Sequence, residues 1–265
     1  MERQYSTNLS DEQWKIIQKL LPKPAWTGRP PLDRRLVINA ILYIVRTGCQ
    51  WRMLPHDFPH WKSVYTIFWR YRQAGLWKEI HDKLREEVRH TAGKLRTPTV
   101  AIFDSQSVKT TEVGGEERGY DAGKKIGGRK RHIAVNSLGL LLVVAVHGCY
   151  WQDYDGARMV FMALADQFKR IRVVFADSAY GRNGLPTWVK DTFGYILQCV
   201  LRPAQVKGFV VLTKRWIVER TFAWINRHRR HSKDYEHTVE SSEAMIYIAM
   251  TGLMLRRLKP TQMPV

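Results

Sequence analysis

Acid is scarce in this chain. Its 265 residues hold 24 Asp and Glu against 43 Lys and Arg, a net charge of +19. Such an excess destabilises a compact state by self-repulsion unless a polyanion offsets it. The deficit is not local. Residues 1–98 carry 18 basic and 9 acidic side chains, and residues 99–265 carry 25 and 15. A neutral domain with a basic tag is therefore excluded. Nucleic acid is the leading partner and a membrane surface the second. Cysteine is also scarce. Cys49, Cys149 and Cys199 lie far apart with no CxxC among them, which excludes a disulfide framework and a cysteine zinc site. Long apolar runs are missing as well. The longest, Ala244 to Leu255, is broken by Thr251 and Gly252. It falls short of the roughly 20 residues that a bilayer span needs. The opening Met1-Glu2-Arg3-Gln4-Tyr5 leads into no signal-peptide core. The expectation is a soluble, cytoplasmic protein that does not enter a membrane. Hydrophobic residues make up 45%, enough for a folded core and too many for a disordered basic tail.

What is present begins with helices. Ser10 with Gln13 fits a capping box, and Trp14, Ile17, Leu20 and Leu21 then recur at helical spacing until Pro22. A loop holds Gly28-Arg29-Pro30-Pro31. Leu36 to Val45 trace a second apolar face closed by Gly48, Ser63 to Tyr71 a third, and Ile80 to Val88 a fourth. At Pro98 the period changes. Thr99–Phe103, Ile133–Val135, Leu140–Val146, Ile171–Ala176 and Tyr195–Val200 read as five strands, the second and third forming a hairpin around Asn136-Ser137-Leu138-Gly139. One helix over Ala157–Phe168, another between the fourth and fifth strands, and two at about 215–231 and 239–258 complete the pattern. The reading is an all-α region over 1–97 and an α/β domain over 98–265.

Three acids stand out by position. Asp104 ends the first strand, Asp177 ends the fourth, and Glu219 is the only acid among seven Lys and Arg between Lys214 and Lys233. Groups just past the C-terminal ends of strands converge on one crevice in an α/β sheet. Two Asp and a helical Glu would form an all-oxygen site of the kind Mg²⁺ or Mn²⁺ prefers. The plainer alternatives stay open: an Asp after a strand can be a turn former or a helix cap, and Glu219 can pair with Arg215 one turn earlier. Asp153 and Asp155 are competing acids. Glu112, Glu116 and Glu117 read as a solvated face. The nine histidines show no ligand spacing, and His132 and His147 read as structural. Trp51, Trp61, Trp69 and Trp77 read as core.

With these residues in view, the sequence resembles the insertion-sequence transposases of the DDE type, most closely insertion sequence family five. The resemblance spans nearly the whole chain. It rests on Leu9-Ser10-Asp11-Glu12-Gln13-Trp14, Gly28-Arg29-Pro30-Pro31 and Gly48-Cys49-Gln50-Trp51-Arg52-Met53-Leu54-Pro55. Further on it rests on Phe103-Asp104-Ser105-Gln106-Ser107-Val108, Gly128-Arg129-Lys130-Arg131-His132, Asp177-Ser178-Ala179-Tyr180 and Arg215 to Trp224. It implies an RNase H-like catalytic core, a mixed five-stranded sheet with flanking helices, behind the helical DNA-binding region. It also implies that Asp104, Asp177 and Glu219 hold divalent metal, two ions per site. In related transposases a Tyr, an Arg, the Glu and a Lys are separated by two, three and six residues. Here Arg215 and Glu219 fit, while Leu212 stands at the Tyr position and Asn226, followed by Arg227, at the Lys position.

The reaction so implied is phosphoryl transfer in two stages, hydrolysis at an element end and then attack of the freed 3′-OH on target DNA. Double-stranded DNA is the expected partner, as terminal inverted repeats and as target, with a homodimer holding both ends. Basic side chains would neutralise phosphate: Arg29, Arg34 and Arg35 in the helical region, Lys124, Lys125, Arg129, Lys130 and Arg131 beside the hairpin, and Arg215, Arg220, Arg227, Arg229 and Arg230 around Glu219. A helix-turn-helix regulator with a dimerising α/β part, and a nuclease without strand transfer, are the alternative readings.

Overall fold

The computed structural model describes residues 5–23, 32–200 and 214–260. The chain divides into two compact units. The first comprises Met1–Gly93, Arg227–Ser232 and Ala244–Val265, and the second comprises Lys94–Asn226 and Lys233–Glu243. The expected single boundary near residue 97 therefore accounts for the first crossing only. The C-terminal residues return to the helical unit because they are apolar on nearly every side and must be buried.

In the first unit, α1 (Asp11–Ile17) starts at the Ser10–Gln13 capping box. α2 (Arg34–Thr47) is capped by the Asp33 carboxylate and ends at Gly48, whose φ of 73° suits a residue without Cβ. α3 (Trp61–Gln73) starts two residues before the expected Ser63, with the His60 ring accepting from Lys62 N–H. α4 (Leu76–Thr91) buries Trp77, Ile80, Leu84 and Val88. The apolar run Ala244–Leu255 lies in the last helix: α8 (Val239–Leu258) buries Ala244–Met250, Met254 and Leu255. Among the described residues no helix is long and apolar enough to cross a membrane. Gln13 donates to the Lys259 carbonyl at 2.8 Å, tying α1 to the end of α8.

The second unit is a mixed sheet with helices on both faces. Its strands are β1 (Val100–Lys109), β2 (Gly119–Asp121), β3 (Ile126–Val135), β4 (Leu141–Gly148), β5 (Val173–Asp177) and β6 (Ile196–Val200). The order is β2-β3-β1-β5-β6, with β4 also on β3. β1 is antiparallel to β3 and parallel to β5, and β6 is parallel to β5. Six strands stand where five were expected, because β2 lies in the polar segment and carries no apolar signal. α5 (Asp153–Gln167) and α6 (Leu185–Phe193) belong to a core that includes Phe103, Ala134, Phe161, Leu164 and Val174. α7 (Arg215–Asn226) lies over β1, β3 and β5. It ends at Asn226, short of the expected 231, and Arg229–His231 form a separate 3-10 turn. The three cysteines are free.

Candidate active site

Register brings the acids together. Ile102 of β1 is level with Phe175 of β5. Side chains alternate along a strand, so Asp104 and Asp177, each two residues further on, stand side by side on the same face. Asp104 is not at the end of its strand, as the sequence suggested. β1 continues to Lys109 along β3, and Asp104 sits where the pairing with β5 stops. α7 covers this face and delivers Glu219 and Arg215. The Arg215 guanidinium donates to Asp177 Oδ2 at 2.7 Å and lies 3.4 Å from Glu219 Oε1. The other Asp177 oxygen, Oδ1, accepts from Ala179 N–H at 2.9 Å and Ser178 Oγ at 3.0 Å, capping the turn that follows β5. Asp104 accepts from its neighbour Ser105 N–H at 2.8 Å. Burial pushes the Asp104 carboxyl up to about 6, opposed by that N–H and by Arg215, and reinforced by the Asp177 and Glu219 carboxylates. The three expected acids thus feel one another in one half-buried site.

The donor set fits a hard divalent cation in its chemistry, being three carboxylates with Asp104 short of positive charge. Among the described residues, however, no three His, Cys, Asp or Glu side chains are gathered closely enough to hold a metal ion. The cation standing among the acids is Arg215.

The competing Asp153 belongs to the opposite face. Its Oδ1 lies 3.1 Å from Lys130 Nζ and 3.3 Å from Ser105 Oγ, which in turn accepts from Tyr180 OH at 3.0 Å. His132 Nδ1 and His147 Nε2 are 2.9 Å apart in the same buried layer, and His147 Nδ1 is 2.9 Å from the Gly148 carbonyl. A carbonyl only accepts, so His147 Nδ1 carries a hydrogen. Burial lowers the His132 ring to about 4. Both histidines are structural, as the sequence suggested.

Several expected DNA contacts are internal. Arg129 is fully buried on the Asp104 face and donates to Asp234 at 3.2 Å and to the carbonyls of Glu117, Glu236, His237 and Glu116. Arg131 is buried beside it, donating to the Lys233 carbonyl at 3.3 Å. Lys130 is buried between Asp153 and Asp121. These three cannot meet a phosphate, because acids and carbonyls distant in sequence have already taken their donors. Arg220 is sandwiched between the Trp216 and Trp224 rings, 4.5 Å from each, and donates to the Leu138 carbonyl. Arg230 is buried and donates to the Cys49 carbonyl at 3.2 Å. Arg35 pairs with Asp11 at 2.6 Å and Arg34 lies beside Tyr71. Lys124, Lys125, Arg227 and Arg229 are exposed. Arg29 lies outside the described residues.

One surface escaped the sequence reading. From Phe58 to Lys78 the chain contains no acid. Within that stretch α3 exposes Lys62, Arg70, Tyr65 and Trp69, the tryptophan at 44%. Trp69 is therefore not core, whereas Trp77 is, donating its indole N–H to the Phe68 carbonyl at 3.2 Å. The signal available was the missing acid, not the aromatic spacing.

Residues 95–255, well over half the chain, match the family model described as "Transposase DDE domain". The chain belongs to the DDE transposase family. Residues 9–81 match a second model, "Putative transposase of IS4/5 family". An insertion element IS402 protein of 16.2 kDa from Burkholderia cepacia is 30% identical over 128 residues, covering 45% of this chain and 78% of that protein. The protein y4sN of Sinorhizobium fredii is 30% identical over 80 residues, covering 30% of this chain and 64% of that protein. No solved structure matches. For a transposase of this family the mixed sheet is the RNase H-like core, and the divalent metal use general to its DDE domains agrees with a site made of carboxylates.

Proposed function

We propose that this transposase binds the terminal inverted repeats of its element, cleaves DNA hydrolytically and joins the 3′-OH end to target DNA by transesterification. The observation that carries the reading is the convergence of Asp104, Asp177 and Glu219 on one face of the sheet. These carboxylates would hold two Mg²⁺ or Mn²⁺ ions, which supply activation of the attacking oxygen and stabilisation of the leaving one. Ser105 N–H and the turn after β5 fix the orientations of Asp104 and Asp177. Phosphate would be met by the exposed Lys124, Lys125, Arg227 and Arg229, and in the helical unit by the acid-free face of α3. A homodimer holding two ends, and a cytoplasmic, nucleoid-associated location, complete the proposal.

The test is strand cleavage and joining on duplexes carrying the ends of the element that encodes the chain. With Mg²⁺, wild type should nick the end and join a labelled 3′ strand to plasmid. Asp104→Asn, Asp177→Asn and Glu219→Gln should each lose both activities by about 10³-fold or more, with end binding retained. Full cleavage by any of the three would remove that residue from the site. Cleavage without joining would leave a nuclease in place of a transposase.

A further inference from the structure

Both oxygens of Asp177 are already engaged. Oδ1 accepts from Ala179 N–H and Ser178 Oγ, and Oδ2 accepts from Arg215 at 2.7 Å. The same guanidinium reaches Glu219 from one helical turn earlier. A guanidinium is a cation with donors and no lone pair, so it adds no ligand of its own and repels a second cation approaching the same two carboxylates. The Arg215 guanidinium thus stands between two of the three carboxylates.

We propose that Arg215 is a built-in counter-cation of the carboxylate site. It holds Asp177 and Glu219 together in the absence of metal, and a divalent cation must displace it to enter. The inference rests on reading Asp104, Asp177 and Glu219 as the metal carboxylates. Arg215 is then a positioning residue that sets how tightly and at what concentration metal loads. Its location allows release. It is the first residue of α7 and is 18% exposed, so the side chain can swing out without opening the helix. Glu219 can follow it or turn back to the ion, since their pair is partly solvated and therefore weak.

The experiment is Mn²⁺ titration of the full chain, without DNA, by calorimetry and by loss of the free-ion paramagnetic signal. Binding that disappears in Asp104→Asn and Glu219→Gln defines the site. Arg215→Gln should bind Mn²⁺ at that site roughly three- to tenfold more tightly than wild type, the competing cation having been removed. Arg215→Lys, which keeps the charge and loses the two-pronged geometry, should fall between. In EDTA, Arg215→Gln should melt below wild type, and saturating Mn²⁺ should close the gap. Unchanged or weaker Mn²⁺ binding by Arg215→Gln, with Arg215→Lys at wild-type affinity, overturns the displacement. If instead wild-type binding survives in both acid variants, the carboxylate reading fails and not the role of Arg215 alone.

Discussion

At the scale of single residues, a basic side chain in this protein can be a contact for phosphate or a strut. Arg129 is a strut. It is fully buried and its donors are taken by Asp234 and four backbone carbonyls. Removing one member of such a pair leaves the other charge buried without compensation, which costs about 3–5 kcal/mol. Arg129→Met should lower stability by that amount in urea denaturation; a loss below about 1 kcal/mol would mean that the buried pair contributes nothing. The sequence offered no way to see this. Asp234 lies 105 positions away, and a Gly-Arg-Lys-Arg-His run looks the same whether it faces solvent or an internal acid. The three acids proposed for the site were legible for the opposite reason. Asp104 and Asp177 stand next to apolar strand runs, Glu219 is alone in a basic helix, and the blocks around them carry the family resemblance.

At the scale of elements, the four N-terminal helices and the apolar halves of the strands could be read from periodicity, because burial of one face imposes it. The polar halves could not. β1 runs on through Asp104–Lys109 and β3 begins at Ile126, pairing along their whole polar length. There the inward residues are polar ones satisfied by partners on other elements, so alternation of hydrophobicity disappears while the strand persists. The outer edge of β4 shows the same economy. Val146 N–H, which has no strand beside it among the described residues, donates to the Glu243 carboxylate at 2.9 Å. Burial raises Glu243 from 4.5 to about 7, partly opposed by that N–H. Between about pH 4.5 and 7 the folded chain therefore holds a proton that the unfolded chain has released. Stability contributed here is present at low pH and falls as pH rises through that window. Glu243→Gln should flatten this slope relative to wild type when urea midpoints are compared at pH 5 and pH 8. An unaltered difference between the two midpoints would show that Glu243 titrates as it does in water.

At the scale of the molecule, the charge of +19 separates into internal and external parts. Arg129, Lys130, Arg131 and Arg230 are internal, while Lys124 and Lys125 are exposed at the turn between β2 and β3. Each lost phosphate contact lowers the slope of log K against log salt by about 0.9. Lys124→Glu with Lys125→Glu should therefore weaken binding to element-end duplexes and reduce that slope by about 2 in anisotropy titrations from low to moderate salt. A slope equal to that of wild type would take this turn out of the DNA contact. The chain's alternation between its two units carries a different implication. Asp104, Asp177 and Glu219 all precede residue 227, whereas Ala244 and the apolar residues after it belong to the helical unit that begins the chain. During synthesis 151 positions separate Gly93 from Ala244, so the helical core cannot close until nearly everything else has been made. A premature stop codon between residues 227 and 244 would spare the three acids proposed for the site and still remove from the first unit the buried residues of α8. Gene copies cut short in this way would keep the three proposed carboxylates, yet encode proteins whose first unit lacks its longest buried helix.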